Sequence, residues 1–109
     1  MATSRERVDE IMSNLTLVEA RTRAMFGEYG LYCNDKFVGM ICDNTLYVKP
    51  VDGQSDLTAG LDVGPPYPSA RDHWIIPDER ILDTEWICAL LQRTADALPL
   101  PKPRKSARR

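Results

Sequence analysis

A change of hydrophobic period near residue 20 constrains the fold of this chain more than any other feature. Before that point, Ser4 is a candidate helix N-cap, and the apolar residues after it recur at helical spacing and form one stripe: Val8, Ile11, Met12, Leu15 and Val18. After it, from residue 21 to 49, the period falls to two and β-branched and aromatic residues become frequent. A helix followed by a run of strands, without βαβ alternation, predicts an α+β domain.

The second stretch divides into four predicted strands, residues 22–26, 29–33, 37–42 and 45–49. Gly27 and Gly30 are expected to form a bend or bulge between the first two strands. Asn34-Asp35 and Asp43-Asn44 are predicted to be two-residue turns, because Asn and Asp tolerate positive φ. The strands therefore form an antiparallel meander, in which Cys33 faces Lys36 and Cys42 faces Thr45.

This register sorts the side chains of the meander onto two faces. The more uniformly apolar face is expected to pack on helices and holds Tyr32, Phe37, Ile41, Leu46 and Val48. The other face holds Tyr29, Leu31, Cys33, Val38, Met40, Cys42 and Tyr47, with Lys36 and Lys49. Large apolar surfaces on monomers usually mark interaction sites. Two interpretations stay open: a later helix or loop covers this face, or it docks a partner or forms a homodimer through Leu31, Val38, Met40 and Tyr47.

The rest of the chain closes the domain. Pro50 ends the meander, and residues 51–72 are rich in Gly, Pro and Asp, with a short helix predicted at 55–59. A further strand is predicted at 73–76, stopped by Pro77. The last helix is capped by Asp78 or Asp83, and its apolar stripe is Trp86, Ile87, Leu90, Leu91, Ala95 and Leu98.

Charge separates one domain, residues 1–101, from a basic tail, residues 102–109. Of the 14 Lys and Arg residues, five lie in the tail, which leaves 9 in the domain against 16 Asp and Glu. An acidic domain repels a phosphate backbone, so nucleic acid is expected to bind only weakly and only through the tail. The tail is expected to be disordered. Its candidate nucleic-acid contacts are Lys102, Arg104, Lys105, Arg108 and Arg109.

No pattern typical of catalysis, metal binding or cofactor binding occurs, so we predict no catalytic, metal-ligating or cofactor-binding residue. His73 is the single histidine, and an odd count of three cysteines suits reduced core thiols better than disulfides or zinc. The carboxylates at 78, 79, 83 and 85 are better explained by helix capping than by a metal. The absence of an apolar signal segment and of a membrane span indicates a cytoplasmic location.

The segment from Arg23 to Tyr32 resembles the TfoX (Sxy) N-terminal-domain family, named after regulators of bacterial competence genes. The matching residues are Met25, Phe26, Gly27, Tyr29, Gly30, Leu31, Tyr32, Lys36, Leu46, Tyr47 and Lys49, followed by Pro77 in an aromatic strand that ends in proline. Glu28 and Asp35 depart from the family's glycines. The competence regulators also carry a second, helical domain after the part that this sequence resembles.

The resemblance implies an antiparallel sheet flanked by N- and C-terminal helices, in a two-layer architecture similar to secretion-chaperone-like folds, without enzymatic activity. The leading hypothesis is therefore a regulatory protein-interaction module, competence-regulator-like, that influences transcription through a protein partner such as a transcription regulator. The alternative is an accessory DNA-binding protein that uses the basic tail. A weaker alternative is a thiol-dependent small-molecule enzyme that uses Cys33 or Cys42.

Overall fold

The computed structural model describes residues 3–99. Its elements are α1 (Arg5–Met12), β1 (Ala20–Met25), β2 (Glu28–Cys33), β3 (Lys36–Cys42), β4 (Thr45–Val48), α2 (Ser55–Thr58), β5 (Asp62–Gly64), β6 (His73–Ile76), α3 (Asp78–Ile81) and α4 (Thr84–Ala97). The strands form one antiparallel sheet in the order β1-β2-β3-β4-β6-β5. This confirms the α+β fold class. The tail of residues 102–109 lies outside the described residues.

The first helix is shorter than its apolar stripe predicts, because it ends at Met12. The side chains of Ser13 and Asn14 both donate to the carbonyl of Glu10, at 2.7 and 3.0 Å. Such local side-chain bonds compete with the helical backbone pattern and favour a helix end. The apolar stripe still contributes to the core, since Leu15 is buried in the loop that follows α1.

Two helices begin at side-chain caps that the sequence predicts. The Oγ of Ser4 accepts from the backbone N–H of Arg7 at 3.1 Å, and Asp83 accepts from that of Trp86 at 3.2 Å. Asp78 is not a cap. It lies in the first turn of the short α3 and forms an ion pair with Arg7 of α1.

A β-bulge in the second hairpin overturns the predicted register. Cys33 faces Lys36 as predicted, but the pairing shifts between Leu31 and Tyr32, so that Leu31 pairs with Gly39 and Val38 becomes the extra residue. An extra residue in one strand reverses which face every later side chain occupies. The register of β3 with β4 is regular, as predicted.

The bulge regroups the two faces of the sheet. The helix-covered face carries Leu31, Cys33, Val38, Ile41, Leu46 and Val48, which share one core with α1 and α4. The open face carries Tyr32, Phe37, Met40, Cys42 and Tyr47. The predicted docking face of Leu31, Val38, Met40 and Tyr47 is therefore wrong as a single surface. Leu31 and Val38 are buried beneath the helices, and Met40 and Tyr47 lie on the opposite side.

The predicted glycine bend is half right. Gly27 has a φ of 79° in the turn between β1 and β2, whereas Gly30 has no positive φ and lies within the regular part of β2. A Cβ at Gly30 would lie 2.9 Å from the Cε of Met25 and from the Cε1 of Phe37. Gly30 is therefore needed for side-chain packing on the open face, not for a bend.

The connection between β4 and α3 contains one strand that the sequence analysis missed. β5 pairs with β6, placing Val63 beside Trp74, and residues 65–72 link the two strands. The short helix is present as α2, and Gly60 follows it with a φ of 85°. Within residues 3–99, no helix is both long and apolar enough to cross a membrane.

Candidate functional site

The open face ends at a tight turn whose tip is an aromatic ring. Phe26 and Gly27 join β1 to β2, with φ values of 53° and 79°. Positive φ at both central positions is the geometry of a two-residue hairpin turn. The Phe26 side chain is fully exposed, at 101% of its reference area, although it is one of the largest apolar side chains in the protein. The hairpin therefore presents an unpacked phenyl ring to the surroundings.

Glu28 fixes the base of this turn. Its Oε1 accepts from the hydroxyl of Thr3 at 2.5 Å and from the backbone N–H of Asp43 at 3.1 Å. The Thr3 hydroxyl also accepts from the N–H of Asn44, and the Thr3 N–H donates to the carbonyl of Gly27. The N-terminal segment and the β3–β4 turn are thus tied to the Phe26 hairpin. This explains why a carboxylate suits the position where the family has a glycine.

An apolar cavity lies beside the exposed ring. It has a volume of about 440 Å³ and is lined by Met25, Phe26, Glu28, Met40, Cys42 and Tyr67. Met40 and Cys42 are almost fully buried and form its floor, and Tyr67, half exposed, comes from the link between β5 and β6. Such a lining, with one carboxylate already engaged in hydrogen bonds, suits an apolar side chain or a small apolar group.

Two neighbouring aromatic rings, each with a cation over it, cross the other end of the open face. The Arg21 guanidinium lies 5.2 Å from the centroid of the Tyr32 ring, and the Lys49 Nζ lies 4.7 Å from that of Phe37. The two rings are themselves 5.3 Å apart. Arg21 also pairs with Asp35 in the β2–β3 turn, at 3.0 Å. These contacts are cation–π interactions, which hold the long basic side chains flat on the sheet.

The thiols are unsuited to nucleophilic chemistry. All three cysteines are buried. Burial raises the pKa of Cys33, and burial together with the charges of Glu28 and Asp43 raises the pKa of Cys42 to about 11. A thiol nucleophile needs a lowered pKa and an electropositive setting, so these features disfavour the thiol-dependent alternative.

The other candidate ionisable residues do not converge on a site either. The Nδ1 of His73 is 2.9 Å from the carbonyl oxygen of Arg71. Among residues 3–99, no group of three or more His, Cys, Asp and Glu side chains is placed to hold a metal ion. Of the acidic side chains near α3 and α4, Asp83 instead caps α4 and Asp78 forms an ion pair with Arg7.

Sequence reasoning missed Gln54, a buried amide that joins four parts of the fold. Its Nε2 donates to the carbonyl of Lys49 at 3.0 Å and to the hydroxyl of Thr94 at 2.8 Å. Its Oε1 accepts from the N–H of Val51 and from the indole N–H of Trp74, both at 2.9 Å. A single Gln in a loop rich in Gly and Asp carries no sequence signal of this role, since its partners are distant in the chain.

The residues that carry the family resemblance serve different parts of the molecule. Leu31 and Leu46 are core residues, with Tyr29 packed against the core, and Lys36 donates from its Nζ to the carbonyl of Ala95 near the end of α4. Gly27 and Gly30 serve the turn and the packing described above, and Pro77 precedes α3. The others lie on or beside the open face: Met25, Phe26, Tyr32, Tyr47 and Lys49.

Comparison with known proteins agrees with the spread of these residues over the whole domain. The chain matches the TfoX N-terminal domain over residues 10–98, a range that runs from α1 to the end of α4. It is 42% identical over 89 residues to the uncharacterized 12.7 kDa protein in the trpE 5′ region of Spirochaeta aurantia, covering 82% of this chain and 76% of that protein. The protein belongs to the TfoX N-terminal domain family.

Proposed function

We propose that this protein is a non-catalytic regulatory module, which binds a protein partner at Phe26 and the adjoining cavity and influences transcription through that partner. The observation that carries the proposal is a fully exposed aromatic side chain held at positive φ beside an apolar cavity. Aromatic residues beside small pockets dominate the energetics of many protein interfaces. Competence regulation, from which the family takes its name, supplies the transcriptional part of the proposal.

The conformation of Phe26 is unfavourable for its residue type. A side chain other than Gly, Asn or Asp in the left-handed region costs roughly 1–2 kcal/mol. Asn-Gly is the preferred pair for such a turn. Full exposure means that the Phe26 ring gains little from packing to offset this cost. Strained residues that persist without a structural benefit are concentrated at functional sites, which supports a role in binding.

The surroundings of Phe26 define the chemistry of the partner. The cavity floor of Met40 and Cys42 is apolar, and methionine adapts its shape to different bound groups. The Glu28 carboxylate, which also lines the cavity, is occupied by two hydrogen bonds. We therefore expect a partner that inserts an aliphatic or aromatic side chain between Phe26 and Tyr67.

Site-specific photo-crosslinking in living cells identifies the partner directly. A photoreactive phenylalanine analogue replaces Phe26, and the control carries the same analogue at Leu82, which is 68% exposed and lies between α3 and α4. We expect a discrete heterologous adduct from position 26 and none from position 82. An adduct of two copies of this chain would instead support the homodimer. Identical products at both positions would contradict a specific site.

The variant Phe26→Asn separates folding from function. We expect it to raise the free energy of unfolding by about 1 kcal/mol, because Asn tolerates positive φ and the exposed ring contributes little packing. Urea denaturation measures this change. The same variant should lose the crosslinked partner in pull-downs and fail to restore the transcript profile of a deletion strain.

The matched control for that experiment is Leu17→Asn, which also removes an exposed apolar side chain but lies outside the open face. It should retain the partner and restore the transcript profile. Restoration by Phe26→Asn to the level of the unmodified protein would show that the hairpin tip is not the binding site.

A further inference from the structure

Lys49 occupies an unusual electrostatic position at the junction of β4 and the loop that follows. Partial burial desolvates its ammonium group and thereby lowers the pKa of Lys49. Among residues 3–99, no carboxylate forms an ion pair with it. Its described contact is with the face of the Phe37 ring. A cation withdrawn from water without a counter-charge favours the approach of an anion.

Two cavities are lined by both Lys49 and Leu98. The first, of about 290 Å³, is bounded by the Tyr32 and Phe37 rings and by Lys36. The second, also of about 290 Å³, is bounded by Pro50, Val51, Arg71, Asp72 and His73. Lys49 thus lines both the cavity with the two aromatic residues and the cavity with a second cation, Arg71.

The carboxylate that lines the aromatic cavity is already neutralised. Asp35, in the β2–β3 turn, pairs with Arg21 at 3.0 Å. Lys36, which also lines this cavity, donates from its Nζ to the Ala95 carbonyl near the end of α4. The local charge is therefore positive, although the domain as a whole is acidic. A small ligand experiences this local charge, whereas a long polyanion also meets the acidic remainder of the surface.

We propose that the aromatic cavity binds a small organic anion, with a carboxylate or phosphate at Lys49 and a flat apolar body against Phe37, Tyr32 and Leu98. The volume of the cavity limits the size of the ligand. Drug-sized ligands and cofactors occupy pockets of about 300–1,000 Å³, so a cavity at the lower limit suits a single ring better than a dinucleotide. The site is distinct from the cavity at Phe26, and the proposal does not depend on the proposed function.

Titration of the full-length, isotope-labelled protein with two probes, benzoate and phenyl phosphate, tests this site. Amide chemical shifts in ¹⁵N-¹H spectra report the position of binding, and inorganic phosphate and benzyl alcohol supply the charge and the ring separately. We expect saturable shifts around Phe37, Lys49 and Leu98 with both probes, and binding at least about tenfold weaker for each fragment alone. Equal affinity for benzyl alcohol, or no saturable shift up to about 10 mM probe, would overturn the proposal.

The variant Lys49→Met removes the charge but keeps an apolar stem, and it should weaken both probes by about tenfold. Its matched control is Arg23→Met, which removes one positive charge from the exposed part of β1 and lines neither cavity. That control should change the affinity less than twofold. Equal weakening of probe binding by the two variants would show that the effect comes from net charge alone, and it would refute a site at Lys49. If Lys49→Met lowers the melting temperature, Lys49→Gln is judged by the same criterion.

Discussion

Gly39 is the residue on which the shape of the sheet depends most. It lies in β3 directly after the bulge, with Leu31 on one neighbouring strand and Val48 on the other. A Cβ at this position would lie 2.1 Å from the carbonyl oxygen of Tyr47, which is a backbone atom and cannot turn aside. The close approach of β3 and β4 therefore requires glycine here.

We expect Gly39→Ala to lower the free energy of unfolding by at least about 3 kcal/mol, because β4 must move to admit the methyl group. Gly30→Ala is the comparison within the same sheet. Its Cβ meets the ends of the flexible Met25 and Phe37 side chains, so the loss should be about 1 kcal/mol. Chemical denaturation of both variants checks the order. A smaller loss for Gly39→Ala than for Gly30→Ala would contradict the assigned packing of β3 against β4.

At the scale of elements, two local interruptions of regular structure determine where α1 ends and which face the residues of β3 occupy. Ser13 and Asn14 end α1 early, and the bulge at Val38 places that side chain in the core with Ile41. Phe37 and Met40 are turned to the open face by the same bulge. A local break of regular structure thus creates both the continuous core beneath α4 and the aromatic surface opposite it.

The Gln54 amide joins the segment that follows β4 to β6 and to α4. We expect Gln54→Met to lower the free energy of unfolding by about 3 kcal/mol, because the Trp74 indole N–H and the Lys49 carbonyl lose their partner in a buried setting. Thermal and urea unfolding measure the change. The control Gln92→Met, at a partly exposed amide on α4, should stay within about 0.5 kcal/mol of the unmodified protein. Comparable losses for the two variants would count against the network.

At the scale of the whole molecule, charge is divided between an acidic domain and a basic tail. The core that the structure describes extends from Val8 in α1 to Ala95 in α4. Buried polar side chains in this part of the chain have hydrogen-bond partners. The domain should therefore fold independently of residues 102–109.

Deletion of residues 102–109 should leave the free energy of unfolding within about 0.5 kcal/mol of that of the full chain. If the tail contacts DNA, weak duplex binding by the full chain should disappear on deletion and fall with salt at a log–log slope of about −4.5 for five neutralised phosphates. Fluorescence anisotropy with a labelled duplex measures both. A tail that only improves solubility would give no duplex binding at low salt. Sequence-selective binding that survives the deletion would place recognition on the acidic domain.

Features that depend only on neighbouring residues could be predicted from the sequence. Apolar patterning predicted the two main helical segments and five of the six strands of the sheet. Ser4 and Asp83 marked helix starts, because each cap bond reaches only three residues along the chain. The Asn-Asp and Asp-Asn pairs located turns because positive φ is a property of residue type. The motif from Met25 to Tyr32 was sufficient to identify the family.

The face of the sheet that each side chain occupies depends on tertiary contacts. The bulge at Val38 occurs where α4 packs on β2 and β3 and where Tyr47 closely approaches Gly39, and neither contact is visible in local sequence. The same holds for Gln54, whose partner Thr94 is distant in the chain. Hydrophobic period and turn chemistry are local properties, whereas register in a bulged strand is set by contacts between distant segments. The predicted docking face was wrong for this reason. The open face at Phe26 was recognised only from the fold.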